Sequence, residues 1–163
     1  MADPKTLYDQ DFLAWSRQQS EALRAAARTG SNQLLDWENL AEEIEDLGRS
    51  QRSATASHIM RVIQHLVKLE YSPSIDPRSG WRRTIRLARL QVQKRVEDNP
   101  SLKAELAQLV EEETGRGIEF AIADLEEHDE IDELGANVLR RARYTEEQVL
   151  GDWFPTEPPR ESQ

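Results

Sequence analysis

A chain of 163 residues, about one domain's length, can bury a real core, yet only 37% of it is apolar and 32% is charged. A formal net charge of −10 repels nucleic acid and anionic membrane and favours a basic protein partner. Without cysteine there are no disulfides, no thiolate catalysis and no Cys-ligated zinc; with no apolar run behind Met1-Ala2-Asp3-Pro4 and none of membrane-spanning length, a soluble cytoplasmic protein is expected.

The first predicted helix runs from about Asp9, as its cap, to Ala27. Phe12, Trp15, Gln19, Leu23 and Ala26 recur at spacings of three and four and form its core face. Thr29-Gly30-Ser31-Asn32 ends it with turn residues. The second helix opens on Asp36 as N-cap, with Glu38 in its first turn, where a carboxylate complements the helix dipole. Its stripe of Leu40, Ile44 and Leu47 is assigned to the core. That stripe resumes after Gly48 as His58, Val62, Leu66 and Leu69. Ile44 and Val62 are 18 residues apart, about five turns at 3.6 residues each, so the phase survives the glycine and one long helix to about Tyr71 is predicted. The small, polar middle from Ser50 to Ser57 suits close approach of another helix or a solvent-crossing stretch, and a kink at Gly48 stays open.

The breaker Ser72-Pro73-Ser74-Ile75-Asp76-Pro77 turns the chain back into a third helix, Trp81 to about Asp98, with Trp81, Ile85, Ala88, Val92 and Val96 inward. Asn99-Pro100 then caps a fourth helix carrying Leu102, Leu106, Leu109, Val110, Gly117, Phe120 and Leu125, weakened by Gly115 and Gly117. An acidic run, Glu126 to Glu133, leads to a helix around Ile131 to Arg143. Thr145-Glu146-Glu147-Gln148 has the form of a capping box opening a last short helix, with Trp153-Phe154-Pro155 as an apolar anchor. The expected architecture is all-α: about four long antiparallel helices plus short C-terminal ones, forming one domain over residues 7–155, with 1–6 and 156–163 frayed.

Several stretches together resemble a known bacterial family, domain of unknown function 29. They are Leu7-Tyr8-Asp9-Gln10-Asp11-Phe12-Leu13-Ala14-Trp15, the long Leu35-Asp36-Trp37-Glu38-Asn39-Leu40-Ala41-Glu42-Glu43-Ile44-Glu45-Asp46-Leu47-Gly48-Arg49-Ser50, His65-Leu66-Val67-Lys68-Leu69, Ser79-Gly80-Trp81-Arg82-Arg83-Thr84-Ile85 and Asn99-Pro100-Ser101-Leu102. The likeness covers about residues 7 to 155. It implies an α-helical domain and no established activity. At Ala142-Arg143, before Tyr144, this chain departs from the Pro-Tyr-Thr type of turn usual in the family.

Three kinds of chemistry can be read from the residues. Glu38, Glu42 and Glu45 line one helical face, and His58 and His65 follow farther along, a carboxylate-and-histidine set of the kind that helical-bundle metal enzymes use. The spacing argues against it. The two histidines lie about 10.5 Å apart along the axis and Glu42 about 35 Å from His65, whereas ligand-to-metal distances are about 2 Å; no metal and no cofactor are expected. His65 reads as a semi-buried histidine with a satisfied hydrogen bond, and His128 as part of a solvated acidic turn.

The segment Arg78 to Arg95 holds seven bases and no acid, with Arg82, Arg86 and Arg89 on one face and Arg83 beside it, the pattern of a phosphate-binding helix. In so acidic a chain, neutralisation by Glu42, Glu43, Glu45 and Asp46 is the simpler expectation, and nucleic acid is a weak one. Trp37, at the first turn of its helix beside Glu38, is a candidate partner anchor. The favoured reading is a non-enzymatic helical interaction module, with self-association also expected, that offers an acidic surface to a basic protein in an antitoxin-like or inhibitor role. Its candidate contact residues are Trp37, Glu38, Glu42, Glu45, Arg82, Arg83, Arg86 and Arg89. The alternatives are nucleic-acid binding through the third helix and a metal-dependent helical-bundle enzyme.

Overall fold

The computed structural model describes residues 4–30 and 34–157. All regular structure among them is helical. The order is α1 (Pro4–Gln10), α2 (Phe12–Arg28), α3 (Trp37–Tyr71), α4 (Arg78–Asp98), a 3₁₀ segment (Pro100–Glu105), α5 (Leu106–Glu127), α6 (Glu133–Leu139) and α7 (Glu146–Leu150). No helix of the described residues is long and apolar enough to cross a membrane. Ser31 and Asn32 of the first expected turn, and residues 158–163 of the expected frayed tail, lie outside the described residues. Pro4–Thr6, expected to fray, are helical. The chain forms two compact units, Met1–Thr55 with Lys94–Glu105, and Ala56–Gln93 with Leu106–Gln163.

In the first unit the helix starts cap one another across the chain. Asp11, not Asp9, is the N-cap of α2: its Oδ1 accepts from the Ala14 N–H at 2.8 Å, and its carboxylate also accepts from the Ser101 N–H at 2.6 Å and hydroxyl at 2.9 Å. Asn99 returns the arrangement, its Oδ1 accepting from the Leu13 N–H at 3.1 Å. The Asn expected to cap its own helix thus caps α2, and Asp11 caps the segment after Pro100. Each satisfies N–H groups that a helix start leaves without intrahelical partners.

The core face of α2 is also rotated from expectation. Leu13, Ser16 and Ser20 are buried, while Phe12 and Trp15 are half-buried and pack edge-on around Tyr8 of α1, at ring separations of 5.7 and 4.8 Å. On α3 the inward residues are Ala41, Gly48 and Thr55, with Ile44 half-buried. Leu40 and Leu47, assigned inward from sequence, are 42% and 54% exposed. The reason is close approach: a methyl group on Gly48 would overlap the Ser16 hydroxyl, so small residues make the contact and the leucines turn outward. The buried hydroxyls of Ser16, Ser20 and Thr55 donate to carbonyls of their own helices.

Glu105, at the end of the 3₁₀ segment, accepts from Arg17 at 2.7 Å and Arg52 at 2.8 Å. Burial works against its charge, but the two guanidinium hydrogen bonds outweigh burial and hold its pKa below the ordinary glutamate value. A carboxylate with a lowered folded pKa contributes stability above its unfolded pKa, about 4.3, and that contribution is lost as pH falls through the folded value. The melting temperature is therefore expected to drop on acidification below about pH 5, and Glu105→Gln should flatten that drop. Thermal denaturation by circular dichroism from neutral to acidic pH measures it; equal slopes for wild type and variant would dismiss the role of Glu105.

The second unit holds the larger apolar core. α3 contributes Ile59, Val62, Ile63, Leu66, Val67 and Leu69; α4 contributes Ile85, Ala88 and Val92; α5 contributes Leu109, Val110, Ile118, Ala121, Ile122 and Leu125. Gly117 lets α5 lie directly on α3, since a Cβ there would stand 2.7 Å from the Ile63 Cγ2 and 3.0 Å from the Met60 carbonyl oxygen. α5 runs unbroken through both glycines. Phe120, expected inward, is 52% exposed. The acidic run stops α5 in a Schellman arrangement: Asp129 has φ +55°, the Glu130 N–H donates to Leu125 O and the Asp129 N–H to Glu126 O. The expected capping box at α7 is formed, with the Gln148 N–H donating to Thr145 Oγ1 and the Thr145 N–H to Gln148 Oε1.

Candidate interaction surfaces

The first surface is the start of α3. Asp36 caps it, accepting from both the Asn39 N–H and the Asn39 side-chain amide, as the sequence indicates. Glu38, Glu42 and Glu45 share a face, and Arg24 of α2 stands among them. Its guanidinium donates to Glu45 at 2.6 Å. That hydrogen bond raises the Arg24 pKa, with the charges of Glu38 and Glu42 adding to it, and lowers that of Glu45. Trp37 is half-buried, and its indole N–H is buried with no hydrogen-bond partner among the described residues.

The opposite flank of α3, across the inward line of Ala41 and Gly48, is open. Leu40, Glu43 and Leu47 follow at spacings of three and four along one side of the helix, all exposed, and Asp46, paired with Arg49, lies beside them. Leu35, 48% exposed, extends the apolar stripe upstream. Sequence reading missed this face because a leucine at helical spacing signals burial by default, and only the small residues Ala41 and Gly48 at the alternative phase hinted otherwise.

The second surface is α4. Arg82, Arg86 and Arg89 share one face as expected, but their partners are not the acids of α3. Glu45 pairs with Arg24 and Asp46 with Arg49, while Arg82 pairs with Glu157 at 2.9 Å. The aromatic ring of Phe154 lies 5.2, 5.4 and 4.8 Å from the guanidinium carbons of Arg82, Arg86 and Arg89. Arg89 donates to the carbonyls of Gln148, Val149 and Trp153 at 2.9, 2.8 and 2.7 Å, so its guanidinium caps the last turn of α7. Burial lowers the Arg89 pKa, which still leaves the group charged. Arg83 is exposed and stands outside this cluster. No local signal could have shown that Trp153-Phe154-Pro155 docks here, because the contact spans about 65 residues of chain.

Lysine cannot reproduce the planar fork. Arg89→Lys is therefore expected to cost about 3 kcal/mol or more, given roughly 1.5–3 kcal/mol for each hydrogen bond to a charged group and two of the three lost. The loss should be local, seen as faster amide exchange over 146–157 in hydrogen-exchange mass spectrometry. Unchanged protection there would contradict the capping role.

Elsewhere, Arg78 is buried and donates to the carbonyls of Leu69 and Ser72 at the end of α3. Lys68 and Gln64 converge on Asp124 at 2.8 and 2.9 Å, and the Lys68 ammonium lies 4.9 Å over the Trp81 ring. His65 is half-buried with Nδ1 2.9 Å from the Arg61 carbonyl oxygen; burial lowers its pKa, so the ring is neutral near pH 7. Among the described residues, no three His, Asp or Glu side chains converge as a metal would require.

With this geometry in view, comparison with known proteins adds two findings. Residues 7–154 match the family model described as Domain of unknown function DUF29. The chain is also similar to a crystal structure of an α-helical protein of unknown function from Rhodospirillum rubrum, at a TM-score of 0.64 and 22% identity, over 91% of this chain and 98% of that one; the likeness is one of fold. No curated protein matches significantly.

Proposed function

Because the chain belongs to the family described as Domain of unknown function DUF29, no activity comes with its family, and we propose from its own surfaces that it is a non-enzymatic helical interaction module. The start of α3 receives a basic, amphipathic helical segment of another protein. One observation carries this reading: Leu40 and Leu47 are exposed on a helix face edged by carboxylates, where apolar burial and charge complementarity act on the same ligand. A formal net charge of −10 steers a basic partner toward it. Masking a basic segment is the physical basis of an antitoxin-like or inhibitor role.

Nucleic acid is less well served. Arg82, Arg86 and Arg89 already hold Phe154, Glu157 and the α7 carbonyls, leaving Arg83 as the member of the set outside that cluster. The test is a calorimetric titration of the full chain with a synthetic leucine–lysine amphipathic helix. Binding that weakens with salt, and that is stronger than for a non-amphipathic lysine peptide of equal charge, supports the reading. Equal affinity for the two peptides would sink it.

A further inference from the structure

We propose that the chain forms a two-fold antiparallel dimer through the exposed face of α5. That face is a shallow groove lined by Glu112, Gly115, Arg116, Glu119, Phe120 and Ala123. Phe120 is 52% exposed, large for an aromatic ring on an isolated helix surface. The lining is self-complementary. A two-fold axis beside α5, level with the bond between Gly117 and Ile118, brings Arg116 opposite Glu119 of a second copy, twice, and Glu112 opposite Ala123. At a rise of 1.5 Å per residue the two Phe120 positions are offset about 7.5 Å along the helix on the same margin, and across axes about 8–10 Å apart each ring covers the neighbouring backbone of the other copy. On the opposite margin the two Gly115 residues leave the backbones free to approach, since nothing lies within 4 Å of a Cβ built there.

Both charges already have a partner within the chain, so the contact joins them into a larger network. The Arg116 side chain is 71% exposed and donates to Glu113 through one amino group. The Glu119 side chain is 55% exposed and accepts from Arg140 of α6 at both carboxylate oxygens. That ion pair ties α6 to the same helix, while the exposed Leu134 and Val138 of α6 line a separate groove with Asn137, Arg140 and Arg141. This self-complementary pattern is what an isologous contact requires and what a foreign partner would have no reason to match. The surface is separate from the α3 face, so the two readings stand or fall independently.

Sedimentation velocity on the full chain tests the dimer. Wild type is expected to dimerise in the micromolar range. Arg116→Glu places glutamates opposite Glu119 of the partner, and Glu119→Arg places arginines opposite Arg116. Each variant alone should weaken self-association at least about tenfold, with its melting temperature confirming an intact fold. Mixed in equal amounts, the two variants restore both cross-pairs and should sediment as a heterodimer. A strictly monomeric wild type, a mixture that gains nothing over its components, or variants that associate like wild type would each overturn the proposal.

Discussion

Gly117→Val is expected to lower the melting temperature of the full chain by roughly 10 °C, from about 3 kcal/mol of overpacking at some 2–4 °C per kcal/mol for a chain of this size. Any Cβ at this position meets Ile63 Cγ2 at 2.7 Å, Ile63 Cβ at 2.8 Å and the Met60 carbonyl oxygen at 3.0 Å. Ile63 is itself fully buried and stiff at χ1, so it has nowhere to move, and the carbonyl belongs to helix backbone. The second methyl of valine worsens every one of these contacts. Gly115, two residues earlier, is the internal control: it is exposed, and Gly115→Ala should raise stability by about 0.5–1 kcal/mol through helix propensity. Opposite signs at two neighbouring glycines of one helix separate packing from propensity. Equal effects at both would mean that α5 does not lie on α3 as described.

The second large effect concerns binding. Leu40→Ser with Leu47→Ser should weaken binding of the basic amphipathic helix by about 30-fold. The two side chains are 42% and 54% exposed, so each has about half of a leucine's burial left to gain, roughly 1 kcal/mol apiece. The half of each side chain already buried contributes about 1 kcal/mol apiece to the fold, so the melting temperature should fall by several degrees, and binding is measured well below it. Glu43→Lys with Asp46→Lys should act differently, slowing association and removing the salt dependence while leaving the apolar contribution. If the serine variant binds as wild type does, the leucines are ordinary surface residues and the reading loses its basis.

Much of the scaffold was legible from sequence where local chemistry decides. Asp36 as a cap, a helix carried past Gly48 to Tyr71, and the Thr145–Gln148 box all follow from short-range hydrogen bonding and helical phase. The inward face of α4 at Ile85, Ala88 and Val92 follows from apolar periodicity. What failed depends on partners distant in sequence. Asp11 displaces Asp9 as cap because Ser101 gives its carboxylate two more donors. The start of α3 turns its leucines outward because Ser16 demands a glycine-sized neighbour. The arginines of α4 find the C-terminal segment rather than the acids of α3, since three backbone carbonyls and one aromatic ring gather where the chain returns after α7. At the start of α3 the carboxylates Glu38, Glu42 and Glu45 share a face as their spacing indicates, whereas Leu40 and Leu47, expected inward, are exposed with Glu43 on the opposite flank.

The central claim is that a basic protein segment lands on the open face of α3, and site-specific photo-crosslinking in the native cell tests it most directly. A photoreactive side chain replaces Leu47 in one version of the protein and Arg83 in another. A crosslink is expected from position 47 to a protein carrying a basic amphipathic segment, lost when Glu43→Lys and Asp46→Lys are added. Crosslinks from position 83 to nucleic acid, with none to protein from position 47, would contradict it.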